Sequence, residues 1–195
     1  VKSAILAMSL SVFLSNSARA ANPTVVMDTS LGTIKIELFE DKAPATVKNF
    51  LSYVDDKHYD GTIFHRVIGT FMIQGGGFSA DKKEKASKPP IKNEASNGIS
   101  NARGTIAMAR ETAPDTATCE FYINVVDNPR LDRANAKDGF GYCVFGKVID
   151  GMDVVDKIKG VKTGEGTLER KSGADRSNTV PVEDVVIRSI KRAEK

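Results

Sequence analysis

The sequence predicts a mainly β fold, an antiparallel β-barrel with two α-helices covering its open ends. Three observations predict it. Short apolar runs recur along the chain, Gly, Pro and Asn separate them, and only two segments carry the three- and four-residue apolar period of a helix. At 195 residues with 41% hydrophobic content, the chain suits one domain with a sizeable core.

The first 20 residues read as an address segment rather than part of that fold. Lys2 precedes an apolar run from Ala4 to Leu14, and Ala18-Arg19-Ala20 matches an A-x-A cleavage site. The run of 11 residues is too short to cross a bilayer, which needs about 20. A signal peptide over 1–20 and a folded domain over 21–195 are therefore expected.

Within the domain, Thr24–Met27 and Thr33–Leu38 form a hairpin turned at Ser30-Leu31-Gly32, with Ile34, Ile36 and Leu38 alternating against Lys35 and Glu37. Pro44 opens a helix over Ala45–Asp55, in which Val47, Phe50, Leu51 and Val54 share one face. Strands follow at Ile63–Val67, Phe71–Gln74, Thr105–Ala109, Phe121–Val126 and Tyr142–Val148. A second helix spans Met152–Ile158 and stops at Gly160. Val161–Thr179 has no apolar period and reads as a long surface loop, and Val185–Ile190 is the last strand.

Charge excludes some partners. The formal charge is +3 and falls to +1 when Lys2 and Arg19 leave with the leader, far from the basic excess of a nucleic-acid binder. No nucleic acid is expected as a partner, and no membrane after leader removal. Cys119 and Cys143 are the only cysteines. In an oxidising compartment they either bridge, closing a loop of 23 intervening residues worth about 3 kcal/mol, or stay as two buried thiols. A thiol hydrolase using Cys119 and His65 has no supporting signature, and the spacings of His58, His65, Cys119 and Cys143 are unlike paired zinc ligands. Gly75-Gly76-Gly77 lacks the Gly-Lys-Ser/Thr of a phosphate loop and reads as a turn with close backbone approach.

The most informative stretch runs from Phe64-His65-Arg66-Val67 through Phe71-Met72-Ile73-Gln74 to Gly77. With Asn93-Glu94, Gly104–Arg110, Glu120–Asn124 and Val144–Val148 in the same order, the chain from about Pro23 to Ile190 resembles the cyclophilin family. The resemblance implies a closed eight-stranded barrel and peptidyl-prolyl cis/trans isomerase activity. It assigns Arg66 as the catalytic donor, with His65 and Gln74 beside it. Phe71, Met72, Tyr122 and Leu131 take the proline-pocket positions, and His65, Ala109, the backbone of Arg110, Glu120 and Tyr142 line the substrate groove. No cofactor or metal is implied, the partners are proline-containing unfolded or partly folded chains, and a monomer is expected. Tyr142, where eukaryotic members often carry histidine, resembles the bacterial branch, which with the leader gives a periplasmic location. The same groove on a non-catalytic chaperone or docking module is the alternative.

The residue types suit the chemistry. Rotation about a peptide bond meets a barrier of about 18–20 kcal/mol from amide resonance, and an X-Pro bond alone takes tens to hundreds of seconds. No bond breaks. A catalyst needs an apolar cavity for the ring and a fixed donor for the nitrogen lone pair exposed at the twisted state, and a guanidinium supplies that donor. Two departures from the family stand out. Cys119-Glu120-Phe121-Tyr122 replaces the common Ser-Gln-Phe-Phe, which leads to the expectation that Glu120 pairs with Arg66. Arg130 replaces an aromatic before Leu131, so weak cyclosporin binding is expected.

Overall fold

The computed structural model describes residues 21–194. The expected leader over residues 1–20, with its A-x-A pattern, and Lys195 lie outside the described residues. The chain runs β1 (Thr24–Thr29), β2 (Gly32–Leu38), α1 (Pro44–Asp55), β3 (Thr62–Ile63), β4 (Arg66–Ile68), β5 (Met72–Gly75), β6 (Thr105–Met108), β7 (Phe121–Asn124), β8 (Val144–Asp150), α2 (Met152–Lys159), β9 (Thr163–Arg170), β10 (Gly173–Pro181) and β11 (Val186–Arg192). Short 3-10 turns occupy Ala95–Asn97 and Pro129–Leu131.

Nine of these strands form one antiparallel sheet in the order β3-β11-β1-β2-β8-β6-β7-β5-β4. Its two end strands are separated in the chain only by Phe64 and His65, so the sheet curls until its ends meet. The end strands are joined by that covalent link rather than by a hydrogen-bonded ladder. The eight strands expected become nine because the run Ile63–Val67 bends between β3 and β4.

Alternation decides what fills the barrel. Val25, Met27, Ile34, Ile36, Leu38, Ile73, Ile106 and Ile123 point inward and are fully buried, each worth about 1.5–3 kcal/mol of transfer free energy. Helix α1 buries Val47, Phe50, Leu51 and Val54 on this core, and α2 adds Val154, Val155 and Ile158. Phe121 sits at the centre, edge-on to Phe50, Tyr59 and Phe64.

Helix α1 has no side-chain cap at Ala43. Glu94 supplies one from across the molecule, accepting from Thr46 N at 2.8 Å and Thr46 Oγ1 at 2.7 Å. A carboxylate there also complements the helix dipole. Its neighbour Asn93 donates to Gly141 O at 3.0 Å, so the Asn93-Glu94 pair ties α1 to the loop before β8.

The segment read as a surface loop is instead a hairpin. Strands β9 and β10 pair from Thr163↔Pro181 to Arg170↔Gly173, and Leu168 and Val180 bury against Ile63 and Phe78. Its other positions are mostly exposed and polar, so backbone pairing holds a hairpin that the apolar period does not announce. Cys119 and Cys143 are both free and buried, which leaves the thiol reading in place of the bridge.

Candidate active site

The outer face of the curled sheet carries the site. Cross-strand neighbours Arg66↔Gln74 on β4 and β5, Gln74↔Tyr122 on β5 and β7, and Tyr122↔Ala107 on β7 and β6 set one row of side chains outside the barrel. The residues between them, Val67, Ile73 and Ile123, belong to the core cluster. Period-two alternation therefore builds the core and the site from the same strands.

Met72, Ala107, Tyr122 and Val144 form a second apolar cluster with Phe71, Leu131 and Tyr142 packed on it. Above it lies a cavity of about 400 Å³ lined by Arg66, Phe71, Met72, Gln74, Ala109, Arg110, Tyr122, Leu131, Tyr142, Arg170 and Asp175. Nine of these eleven are the residues singled out in the sequence. A slightly larger depression of about 460 Å³ on the β9–β10 hairpin is lined by polar side chains such as Glu165 and Arg176 and offers no apolar floor to a ring.

The floor is fixed from below. Burial pushes the Tyr122 hydroxyl well above its usual titration range, and it donates to Asn101 Oδ1 at 2.7 Å. Asn101 donates in turn to Asp132 Oδ1 at 3.0 Å, and Asn128 donates to Phe71 O at 2.9 Å. The hydroxyl that distinguishes Tyr122 from the family's phenylalanine is thus satisfied away from the cavity.

Arg66 and Arg110 differ in how their donors are used. Arg110 places all five N–H groups, on Gly141 O twice, Glu111 O, Thr112 O and Asp138 Oδ2, with its Cζ 4.3 Å from the Tyr142 ring centroid. It is a structural clamp behind the wall of the cavity. Arg66, among the described residues, donates once, from Nη1 to Gln74 Oε1 at 3.2 Å. Burial lowers its pKa, with Tyr142 and Glu120 acting the other way. Its other donors make no hydrogen bond among the described residues, and the side chain lines the cavity.

Two expectations are corrected here. His65 does not line the cavity: it is 1% exposed, its ring centroid 4.6 Å from that of Phe78. The reason is its position at the bend between β3 and β4, where the ring turns inward beside the hairpin. Glu120 does not pair with Arg66. It accepts from Gln74 Nε2 at 2.7 Å and from Arg170 Nη1 at 3.2 Å, and His65 Nε2 stands 3.4 Å away without hydrogen-bond geometry. Burial raises the Glu120 pKa, but His65, Arg170 and Gln74 outweigh it and hold the carboxyl at about 2. Glu120 lines a neighbouring depression of about 350 Å³ that shares Gln74, Ala109, Arg110 and Arg170 with the main cavity.

Arg130 lies with its Cζ 4.6 Å from the Phe71 ring centroid, so a cation caps the pocket where the family often places an aromatic. Arg170 and Asp175 were not anticipated, because they sit on the hairpin read as a loop. No local signal marks them, since what places them is the pairing of β9 with β10.

Residues 24–192 match the family model described as cyclophilin type peptidyl-prolyl cis-trans isomerase/CLD. The chain belongs to the cyclophilin family. It is 56% identical over 167 residues to peptidyl-prolyl cis-trans isomerase B of Escherichia coli, covering 85% of this chain and 97% of that one. It is 48% identical over 187 residues to peptidyl-prolyl cis-trans isomerase A of Dickeya dadantii, covering 96% and 93%. Among solved structures, a Cryptosporidium parvum cyclophilin type isomerase superposes with a TM-score of 0.70 at 25% identity, covering 89% of this chain and 99% of that one. This cyclophilin is thus a peptidyl-prolyl cis-trans isomerase acting on proline-containing peptides, rather than a binding module without turnover. The thiol-hydrolase reading has no support in the site, because burial first, and Glu120 second, push the Cys119 thiol up to about 11.

Proposed function

We propose that Arg66 is the donor to the prolyl nitrogen, that the ring sits over Met72 and Tyr122 between Phe71 and Leu131, and that the clients are exported polypeptides. The observation that carries the site assignment is the contrast in guanidinium use. Arg66 borders a cavity with an apolar floor and has one of its five donors engaged, whereas Arg110 beside it has none to spare. Ring burial anchors the substrate, and the twisted state alone presents a nitrogen lone pair to Arg66, so that bond stabilises the transition state more than either ground state. Lowering a step of tens of seconds to milliseconds takes about 10⁴-fold, or roughly 5.5 kcal/mol. A charged hydrogen bond made only in the twisted state supplies about 2–4 kcal/mol of that, whereas ring burial holds ground and twisted states alike and tightens binding.

The export role is supported by the leader pattern in residues 1–20 and by the near-neutral chain that remains after it.

Isomerisation of a short X-Pro peptide, followed by NMR exchange without a coupled protease, tests the site. Arg66→Ala is expected to lose about 10²-fold in kcat/KM while keeping its fold. Wild-type turnover in the variant overturns the assignment. For export, expression of residues 1–195 is expected to yield a periplasmic product beginning at Ala21. An unprocessed chain in the cytoplasm overturns that part.

A further inference from the structure

Among the described residues, one part-buried carboxylate at the site plays no part in gripping proline: Glu120, its side chain 16% exposed, with Arg170 against it. Three links form a chain. Arg66 Nη1 donates to Gln74 Oε1, Gln74 Nε2 donates to Glu120 Oε2, and Arg170 Nη1 donates to Glu120 Oε1. An ionised carboxylate only accepts, so it obliges the Gln74 amide to present its NH₂ to Glu120 and its carbonyl oxygen to Arg66. A glutamine at position 120 could accept or donate, so the donor-only Arg66 would alone hold the Gln74 amide in this orientation.

The carboxylate also carries a hazard. It is one side chain away from Arg66, and uncompensated it would draw that guanidinium off the cavity. Arg170 supplies the compensation. Its Nε pairs with Asp175 Oδ2 at 3.4 Å and its Cζ lies 4.8 Å from the Phe78 ring centroid, so β10 and the packing beneath β9 fix where the charge stands. The fit is close: a Cβ on Gly77 would lie 2.6 Å from Glu120 Cγ, so the Glu120 stem occupies space that only glycine leaves.

We propose that Glu120 and Arg170 are a matched positioning pair for the isomerase site, in which Glu120 orients Gln74 toward Arg66 and Arg170, delivered by the β9–β10 hairpin, prevents Glu120 from capturing Arg66. The pair deepens the assignment of Arg66 as donor and rests on it. The hairpin is then part of the active site rather than an appendage, through the contact of Arg170 with Glu120.

The test is a double-mutant cycle read as kcat and KM by NMR exchange on an X-Pro peptide, with Arg66→Ala alongside. Arg170→Met keeps an unbranched apolar side chain at this position and removes the charge. It is expected to lower kcat about tenfold with KM changed less than about twofold, the scale of one misplaced charged hydrogen bond. Glu120→Gln should lower kcat about threefold. The double variant should recover from the tenfold loss to about the threefold level, because removing the carboxylate removes what Arg170 guards against. A hairpin that merely needs Arg170 to fold gives no such rescue: equal losses in Arg170→Met and the double variant overturn the proposal, as does full activity in Arg170→Met. If Arg66→Ala itself remains active, the donor assignment fails. If Arg66→Ala is inactive and the rescue is absent, the matched pair alone fails.

Discussion

Replacing Arg110 by Met keeps an unbranched stem and removes the guanidinium, and the outcome follows from what each donor holds. Glu111 and Thr112 are exposed, so their carbonyls exchange Arg110 for water at little cost. Gly141 is buried, and its carbonyl loses two of three donors, keeping only Asn93 Nδ2. The bond to Asp138 joins a buried guanidinium to a carboxylate about one-third exposed, which water can resolvate, so its loss costs about 1 kcal/mol. Stacking of the guanidinium on Tyr142 adds about 1 kcal/mol. Together these give a destabilisation of about 2–4 kcal/mol, or a fall in Tm of about 10 °C for a domain of this size. Tyr142 then loses its backing, so KM should rise severalfold while kcat holds, since Arg66 is untouched. Thermal unfolding by near-UV circular dichroism and NMR-exchange kinetics measure both. Arg110→Lys, with three donors and the charge retained, should fall between. A Tm within about 2 °C of wild type together with unchanged KM would refute the clamp.

Acid should weaken the fold through Glu120. Its carboxyl is held at about 2 against an ordinary 4.5, so its contribution is complete above about pH 5 and is lost as pH falls toward 2, on the order of 3 kcal/mol. Urea unfolding at pH 6 and pH 3 should show a smaller loss in Glu120→Gln than in wild type, and equal losses would contradict it. Burial raises both thiols to about 11, so Ellman's reagent at pH 8 should label neither cysteine in the native chain and both after unfolding, whereas rapid native labelling would contradict the buried state. Cyclosporin should bind weakly, because the Arg130 guanidinium caps Phe71 where the family often offers an aromatic surface, and a tight complex by calorimetry would overturn this.

Local order was legible wherever burial and chain period coincide. The first hairpin, both helices and the strands of the barrel carry their apolar period openly, and their ends fall within a few residues of the reading. Phe71, Met72, Tyr122, Leu131, Gln74 and Arg66 were legible as a set only through the resemblance, because apolar residues on strands are as apt to fill a core as a pocket. The β9–β10 hairpin was not legible, since only Leu168, Val180 and Pro181 bury deeply and the remaining positions alternate nothing.

The sequence by itself determined the strands, the helices and the chemical inventory of the site, because side-chain alternation and helical period are properties of neighbouring residues. Tertiary structure decided which charges meet. Glu120 and Arg170 are 50 positions apart, and Glu94 caps a helix 48 positions earlier. Curling of the sheet turned His65 into the interior and set Arg66 beside Gln74 with its other donors uncommitted. Such pairings depend on the summed geometry of every strand between, and a charge carries no periodic signal of the partner it will find.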